Sequence, residues 1–204
     1  MSRRIRSGFI SEKRTEKIKR ILRFRQPGLT IVLEEVHDIH NISAMLRTSD
    51  AVGVMQVHGI FEKMQTGKKS RMGKRSSAGT RKWVKVEKYS SPAECFDVLR
   101  QQNFKIFTTK ITADSKPLYA LDLTQPVALV FGNEHDGVSE EAAALADGNF
   151  MIPQIGMAES LNVSVACAVS LYEAFRQRQL KGMYNSPQLP DAQLAELFEE
   201  WRKK

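Results

Sequence analysis

Short apolar runs rich in β-branched residues alternate with helical segments along most of the chain. The run LTIVLEEV (29–36) is followed by NISAMLRTSDAV (41–52), in which apolar residues recur at helical spacing before Gly53. Because parallel strands need long connections, usually helical, this alternation predicts an α/β domain with a largely parallel sheet over residues 28–182. The same criteria predict further strands at 55–60, 83–89, 104–111, 126–132 and 149–153, and further helices at 11–25, 91–103, 139–146, 163–182 and 191–203.

Basic residues are concentrated in two segments of the chain. Residues 1–26 hold ten Lys or Arg and two Glu, and residues 62–88 hold the same numbers. Because the whole chain has a formal net charge of +8, the remaining residues are net acidic. Two separate basic segments on an acidic remainder favour a polyanionic partner, in particular nucleic acid, over a merely solvated basic surface.

Composition and cysteine usage exclude several other classes of protein. No apolar run is long enough to span a bilayer, and the N-terminal residues MSRRIRSGFISEKR lack the apolar stretch of a secretory signal. Cys95 and Cys167 lie in apolar contexts without CxxC spacing, so neither a disulfide framework nor a zinc module is indicated. We therefore expect a cytoplasmic protein without a membrane span and without a metal.

Several common nucleotide-binding and catalytic motifs are incomplete or absent. TGKKS (66–70) resembles the end of a P-loop, but Glu62 stands where that motif requires its first glycine. No GxGxxG follows a predicted strand, and GxSxG is absent. His37 and His40 are three residues apart with no third ligand nearby, so a loop or RNA-facing role is favoured over zinc binding. Hydrolase, kinase and zinc-enzyme functions are therefore weak hypotheses.

Three segments instead place polar residues where a buried α/β core would not readily accept them. They are HNISAMLR (40–47), LVFGNEHDGVS (129–139) and IPQIGMAESLNVSVACAV (152–169). The second segment runs from an apolar strand into Gly-Asn-Glu, and the carboxyl ends of parallel strands are where α/β sheets bind ligands. Each segment also has a structural explanation, since Asn41 and Asn162 both precede apolar helices and are good helix caps.

Taken together and in this order, N-x5-R, LVFGNE-x2-G and IPQIGMAESLNVSVA resemble the three motifs of the SpoU branch of the SPOUT RNA methyltransferases. The resemblance covers residues 26–182 and is strongest to members that methylate the ribose of guanosine-18 in tRNA. It implies a SPOUT-type trefoil-knotted α/β fold with a parallel sheet, plus N- and C-terminal helical extensions, in a homodimer. The corresponding divisions are a basic extension (1–26), a catalytic domain (27–182) and a C-terminal extension (183–204).

The resemblance also implies S-adenosyl-L-methionine as the cofactor and assigns the site residues. Arg47 is placed nearest the 2′-hydroxyl, as the base. Asn41 is expected to orient Arg47 or the ribose phosphate, and Glu134 to pair with Arg47 or a neighbouring cation. Ser160 and Asn162 are expected to bond to the substrate or to the second motif. The cofactor-binding residues implied are Thr109, Gly132, Ile152 and Leu161.

The terminal helices are expected to flank the catalytic domain and contact RNA phosphates, which position the substrate without reading sequence. The glycine-containing segment 62–80 is expected to close over the RNA. The predicted partner is tRNA, and the predicted RNA-binding residues are Arg20, Arg25, His40, Arg176 and Arg178.

Two questions stay open at this level. A guanidinium is effectively always protonated, so either a substrate phosphate held by Arg47 relays the proton, or Arg47 stabilises the developing alkoxide while another group takes it. The long N-terminal extension and the Lys- and Arg-rich loop 66–80 depart from the family pattern, which leaves ribosomal RNA or another tRNA position as alternative targets. A non-catalytic RNA-binding protein is a further alternative.

Overall fold

A seven-stranded parallel sheet forms the centre of the protein, as the alternating pattern predicts. The computed structural model describes residues 11–61, 79 and 82–204. The strands are β1 (Leu29–Glu34), β2 (Gln56–Ile60), β3 (Lys85–Tyr89), β4 (Lys105–Thr108), β5 (Lys116–Pro117), β6 (Val127–Phe131) and β7 (Gly148–Met151). The helices are α1 (Glu12–Arg23), α2 (Ile39–Ala51), α3 (Pro92–Gln101), α4 (Glu140–Leu145), α5 (Val163–Leu180) and α6 (Asp191–Trp201).

The strand order is β3-β2-β1-β6-β4-β7-β5, and every pairing among the described strands is parallel. All residues of the two central strands, β1 and β6, are buried. This explains their nearly continuous apolar sequences, because a strand covered by helices on both faces has no solvent side. Successive residues of β1 face opposite sides of the sheet and pack in two different hydrophobic cores. Ile31 and Leu33 pack in the core that includes residues of α2 and α5, whereas Val32 packs in the core that includes residues of α3 and α4.

Helix starts follow the sequence signals at several positions. Ser91 and Ser139 cap α3 and α4, since each hydroxyl accepts a hydrogen bond from the backbone N–H three residues later. The predicted start of α2 is wrong by two residues. Asp38, rather than Asn41, is its N-cap, and Asn41 lies inside the first turn. The side chain of Asn41 is therefore available for other contacts.

The remaining differences are small. The two-residue strand β5 and the single 3₁₀ turn that follows it, Leu118–Ala120, were not predicted from the sequence. The segment 62–80, which is expected to close over the RNA, lies outside the described residues except for Gly79. None of the described helices combines the length and the apolar character needed to cross a membrane.

The two terminal helices pack against each other. Ile18 and Leu22 of α1 and Trp201 of α6 are buried together, and Trp83 packs on them with its ring centroid 4.9 Å from that of Trp201. Through Trp83, this small cluster reaches the residues that lead into β3. The N- and C-terminal extensions are thus joined to one another and to one edge of the sheet.

Candidate active site

A chain of hydrogen bonds joins the three sequence motifs. Asn41 Nδ2 donates to Glu134 Oε1 at 2.6 Å, and Asn162 Nδ2 donates to Asn41 Oδ1 at 3.2 Å. Asn162 Oδ1 in turn accepts from the backbone N–H and the hydroxyl of Ser164, at 2.8 and 2.6 Å. The structure therefore brings together Asn41, Glu134 and Asn162, which lie up to 121 residues apart in the sequence.

Local structure explains how each of these side chains is held. Asn41 is 8% exposed in the first turn of α2, which packs against α5. Asn162 is the N-cap of α5, so its predicted capping role and its contact with Asn41 coexist in one side chain. Glu134 follows β6 in a turn held by Asn133, whose Oδ1 accepts from the backbone N–H groups of His135 and Asp136 at 2.8 and 2.7 Å.

The same turn explains why glycine is required at position 132. A Cβ on Gly132 would lie 2.0 Å from the backbone carbon and oxygen of Gly137. Gly137 itself has a φ of +67°, a left-handed conformation that glycine adopts without strain. The close approach that Gly132 allows is therefore between two segments of the chain's own backbone.

Three of the four predicted cofactor-binding residues lie at the carboxyl-terminal edge of the sheet, where the strands end. Thr109, Gly132 and Ile152 each come directly after a strand, and those strands, β4, β6 and β7, are adjacent and parallel. The Thr109 backbone N–H donates to the Val130 carbonyl at 3.1 Å, which ties the ends of β4 and β6 together. Leu161, 37% exposed, comes just before the cap of α5. This edge offers backbone polar groups beside apolar side chains, as an adenosyl and methionyl group requires.

Arg47 and Ser160 lie outside the hydrogen-bond chain. Arg47 is exposed on α2, and among the described residues its guanidinium has neither a hydrogen-bond partner nor an ion-pair partner. Glu134 is bonded to Asn41 and forms no ion pair with Arg47, in contrast to one of the expected pairings. Ser160 is exposed and forms no hydrogen bond to the described residues of the second motif, and its expected contact with the substrate stays a prediction.

Two further positioning residues were missed by sequence reasoning. Glu34, at the end of β1 and 4% exposed, accepts hydrogen bonds from the Ser139 backbone N–H and hydroxyl at 3.0 and 2.5 Å. It thereby fixes the far end of the turn that carries Glu134. Ser164 is the other missed residue, and the sequence Asn-x-Ser before an apolar helix is a signal that could have indicated it.

Two predicted RNA-binding residues, Arg25 and Arg178, are buried, which corrects their assignment. Arg25 is 1% exposed, donates to the Val54 carbonyl at 2.9 Å, pairs with Asp50 at 2.5 Å and lies over the ring of Trp201. A cation enclosed in this way is unable to contact a phosphate. Arg25, and Arg178 as described next, therefore stabilise the fold rather than bind RNA.

Arg178, also 1% exposed, binds four acceptors around the loop before β6 and the start of β1. Its donors reach the carbonyls of Leu123, Gln125 and Gly28 at 2.9, 2.9 and 2.7 Å, and the side chain of Gln26 at 3.2 Å. Burial lowers the pKa of Arg178 to about 10, which leaves it protonated at neutral pH.

The other predicted RNA-binding residues are accessible. Arg20 and His40 are exposed, and His40 adjoins Asn41 in the first turn of α2. The Arg176 side chain is 59% exposed and forms a bidentate pair with Glu173, both distances being 2.8 Å. The described residues contain no cluster of His, Cys, Asp or Glu suited to hold a metal ion.

Comparison with known proteins places this geometry in a family. The model of the SpoU rRNA methylase family matches residues 28–172. A tRNA (guanosine(18)-2′-O)-methyltransferase from Thermus thermophilus is 43% identical over 194 residues, which cover 95% of this chain and 98% of that protein. The crystal structure of the A. aeolicus TrmH/SpoU tRNA modifying enzyme superposes with a TM-score of 0.86 at 38% identity, covering 94% of this chain and 96% of that one.

A third relative was solved with its cofactor. The SpoU methyltransferase AviRb from Streptomyces viridochromogenes, in complex with AdoMet, superposes with a TM-score of 0.66 at 28% identity, over 78% of this chain and 60% of that one. The family match, the near full-length similarity and the junction of the three motifs agree with one another. The chain belongs to the SpoU family of RNA methylases.

Proposed function

We propose that this protein transfers the methyl group of S-adenosyl-L-methionine to the ribose 2′-oxygen of guanosine-18 in tRNA. The observation that carries the proposal is the hydrogen-bond chain from Glu134 through Asn41 to Asn162, which assembles the three motifs beside adjacent strand ends. The T. thermophilus relative with this activity matches 95% of the chain. This agreement in length favours tRNA over ribosomal RNA as the substrate.

The strand ends at Thr109, Gly132 and Ile152, together with Leu161, would hold the cofactor. When bound, S-adenosyl-L-methionine supplies an activated methyl group on a sulfonium. The chain's own task is then to place the ribose oxygen in line with that methyl and to accept or relay the hydroxyl proton.

Arg47 is assigned to the RNA side of the reaction. Its exposed guanidinium has no partner among the described residues, so it is available to clamp a substrate phosphate through two parallel hydrogen bonds. That phosphate would take the 2′-hydroxyl proton as the oxygen bonds to the methyl carbon and the methyl–sulfur bond breaks, because the guanidinium itself stays protonated. Asn41, tied to Glu134 and Asn162, fixes the start of the helix from which Arg47 projects.

The remaining features concern the assembly. Gln177 of α5 bonds to the backbone of Leu121 and Leu123 in the loop before β6. Membership of the SpoU family supports the trefoil knot that the sequence resemblance implies. Exposed apolar residues on one side of α5 and on the loop before it support a homodimer whose partner covers them.

Arg20, His40 and Arg176 would contact RNA in the cytoplasm.

The first experiment combines labelled S-adenosyl-L-methionine with unmodified tRNA and locates the methylated nucleotide by nuclease digestion and mass spectrometry. We expect label on the ribose of guanosine-18. Label on another ribose would keep the chemistry and change the target, and transfer to ribosomal RNA alone would support that alternative. Cofactor binding without any transfer would indicate a non-catalytic RNA-binding protein.

The same assay tests Arg47. Arg47→Ala should lower kcat by at least about a hundredfold, since the phosphate that takes the proton is no longer held in place, while the Kd for tRNA rises only about a few-fold, because Arg47 is one phosphate contact among several. Arg100→Ala, an exposed arginine on α3 on the other face of the sheet, is the matched control and should keep full activity. Turnover by Arg47→Ala at the wild-type rate would contradict its role.

A further inference from the structure

A large cavity lies between α1 and α6, outside the candidate active site. It has a volume of about 990 Å³. Its apolar floor includes Leu22, Phe24, Leu194 and Phe198, and Tyr184 lies at one end. Its rim is basic, with Lys13, Lys17, Lys19, Arg20 and Arg23 against the single carboxylate of Glu16. We refer to these residues as the α1–α6 groove.

Most of the cations on the rim have no ion-pair partner among the described residues. Lys19 pairs with Glu16 at 3.1 Å. The other four rim cations form no ion pair with any residue that the structure describes. Four unpaired cations around an apolar floor are electrostatically complementary to a polyanion that also has flat apolar surfaces.

Phe24 distinguishes this groove from a plain phosphate-binding surface. The side chain follows the last residue of α1 and is 43% exposed, whereas Leu22 beside it is 3% exposed. An open aromatic ring next to Arg20 and Arg23 matches the arrangement by which proteins bind unpaired nucleotides, with the base stacked on the ring and the phosphates on the cations.

The groove is separate from the candidate active site. Asn41 lies in the first turn of α2, and at the far end of that helix the Val52 carbonyl accepts a hydrogen bond from the hydroxyl of Tyr184, which lines the groove, at 2.7 Å. The stretch from Asn41 to Val52 corresponds to about 16 Å of helix, and the stretch from Arg47 to about 8 Å. None of the residues placed at the reacting ribose lines the groove.

We propose that the α1–α6 groove binds a second, unpaired segment of the substrate RNA, with one base stacked on Phe24. This rests on the proposed function, since it takes RNA as the substrate. The chain's own residues 1–10 are a poor occupant because they carry Arg3, Arg4 and Arg6 and would be repelled by the basic rim. Because Phe24 is not among the residues placed at the reacting ribose, its contact contributes to binding and leaves the chemical step unchanged.

The test measures binding of fluorescently labelled, unmodified tRNA by anisotropy, which needs no catalytic activity. Phe24→Ala should raise the Kd at least about fivefold, and Phe24→Tyr, which keeps a stacking ring, should restore binding. Tyr119→Ala, an aromatic residue 57% exposed on the 3₁₀ turn outside the groove, is the matched control and should bind as the wild type does. In the methylation assay Phe24→Ala should raise KM with little change in kcat.

A second measurement keeps the proposal testable if Phe24→Ala folds poorly. Wild-type protein is crosslinked to tRNA by ultraviolet light, digested after glutamate residues and sequenced by mass spectrometry. A nucleotide adduct on Phe24 within residues 17–34 supports the proposal, and its absence overturns it. An unchanged Kd for Phe24→Ala also overturns the proposal. If Lys17→Ala and Arg20→Ala weaken binding in that case, the cations of the groove contact RNA but no base stacks on Phe24. Both measurements report tRNA binding and need no methyl transfer. A protein that binds tRNA without methylating it would still give the expected Kd change and adduct, so failure of the proposed function is distinguished from failure of this proposal.

Discussion

Two arginines, two positions apart on one helix, have opposite roles. Arg178 is 1% exposed and supplies hydrogen bonds to three backbone carbonyls and one amide, whereas Arg176 is mostly exposed and pairs with Glu173. Arg178→Ala should lower the free energy of unfolding by about 3–5 kcal/mol, because it leaves buried acceptors unsatisfied and opens a cavity. Arg176→Ala should cost less, about 1 kcal/mol, because Glu173, only 6% exposed, keeps its hydrogen bond from Gln177.

Urea unfolding of the two variants measures the difference, and tRNA binding at a temperature where both are folded provides the control. If Arg178→Ala were as stable as the wild type and bound tRNA poorly, the original assignment of Arg178 to the RNA surface would be restored. Arg176→Ala should show the reverse pattern, with stability retained and tRNA affinity reduced.

At this scale the sequence predicted some residues and not others for definite physical reasons. Asn41, Glu134 and Asn162 were identified because they belong to motifs whose chemistry is not needed for an ordinary core. The burial of Arg25 and Arg178 was missed because it depends on Trp201 and on the loop before β6, both far away in the sequence. Basic composition therefore predicts a nucleic-acid partner more reliably than it identifies the contacting side chains.

At the scale of elements, strong local signals gave correct helices and strands. Ser91 followed by Pro92 fixes the start of α3, and uninterrupted apolar sequence marks β1 and β6 as central. Strand β5, Lys116–Pro117, was missed because it has two exposed residues and no apolar pattern. The order of the strands could not be predicted, since insertion of β6 between β1 and β4 depends on long-range pairing.

The pairing of β2 with β3 contains a buried titratable group with a pH-dependent effect. His58 is 2% exposed; its Nδ1 lies 3.1 Å from the hydroxyl of Tyr89, and that hydroxyl donates to Glu87. Its Nε2 faces the amide nitrogen of Gln56 at 3.4 Å, so a proton there would meet another donor. Burial lowers the pKa of His58 from 6.5 to about 4, with Glu87 opposing the shift and Lys85 adding to it.

Because the folded pKa lies below the unfolded one, stability from neutral His58 is complete above pH 6.5 and is lost as the pH falls towards 4. Between pH 7 and 5 this should lower the free energy of unfolding by about 2 kcal/mol. His58→Gln, which has no titrating group, should show a correspondingly weaker decrease in urea unfolding over this range. Identical pH dependence in both proteins would show that another group is responsible.

At the scale of the whole molecule, an apolar surface next to the candidate active site is uncovered. Ile155 and Met157 on the loop before α5 are fully exposed, and Val165 and Tyr172, seven residues apart on one face of α5, are 46% and 53% exposed. Exposed apolar side chains grouped around a helix face are typical of an interface between subunits. This surface is continuous with the Asn162 cap, so a partner subunit that covers it would also border the catalytic residues.

Light scattering tests this arrangement directly. The wild type should have twice the 23.1-kDa mass of the chain. Tyr172→Glu places a charge in the centre of the apolar face and should give a monomer, because an unpaired charge is costly to bury in an interface. Leu180→Glu, at the other end of α5 and 77% exposed, should remain dimeric. If the active site is completed between subunits, monomeric Tyr172→Glu should also lose methyl transfer, whereas a monomer with full activity would show that each chain carries a complete site.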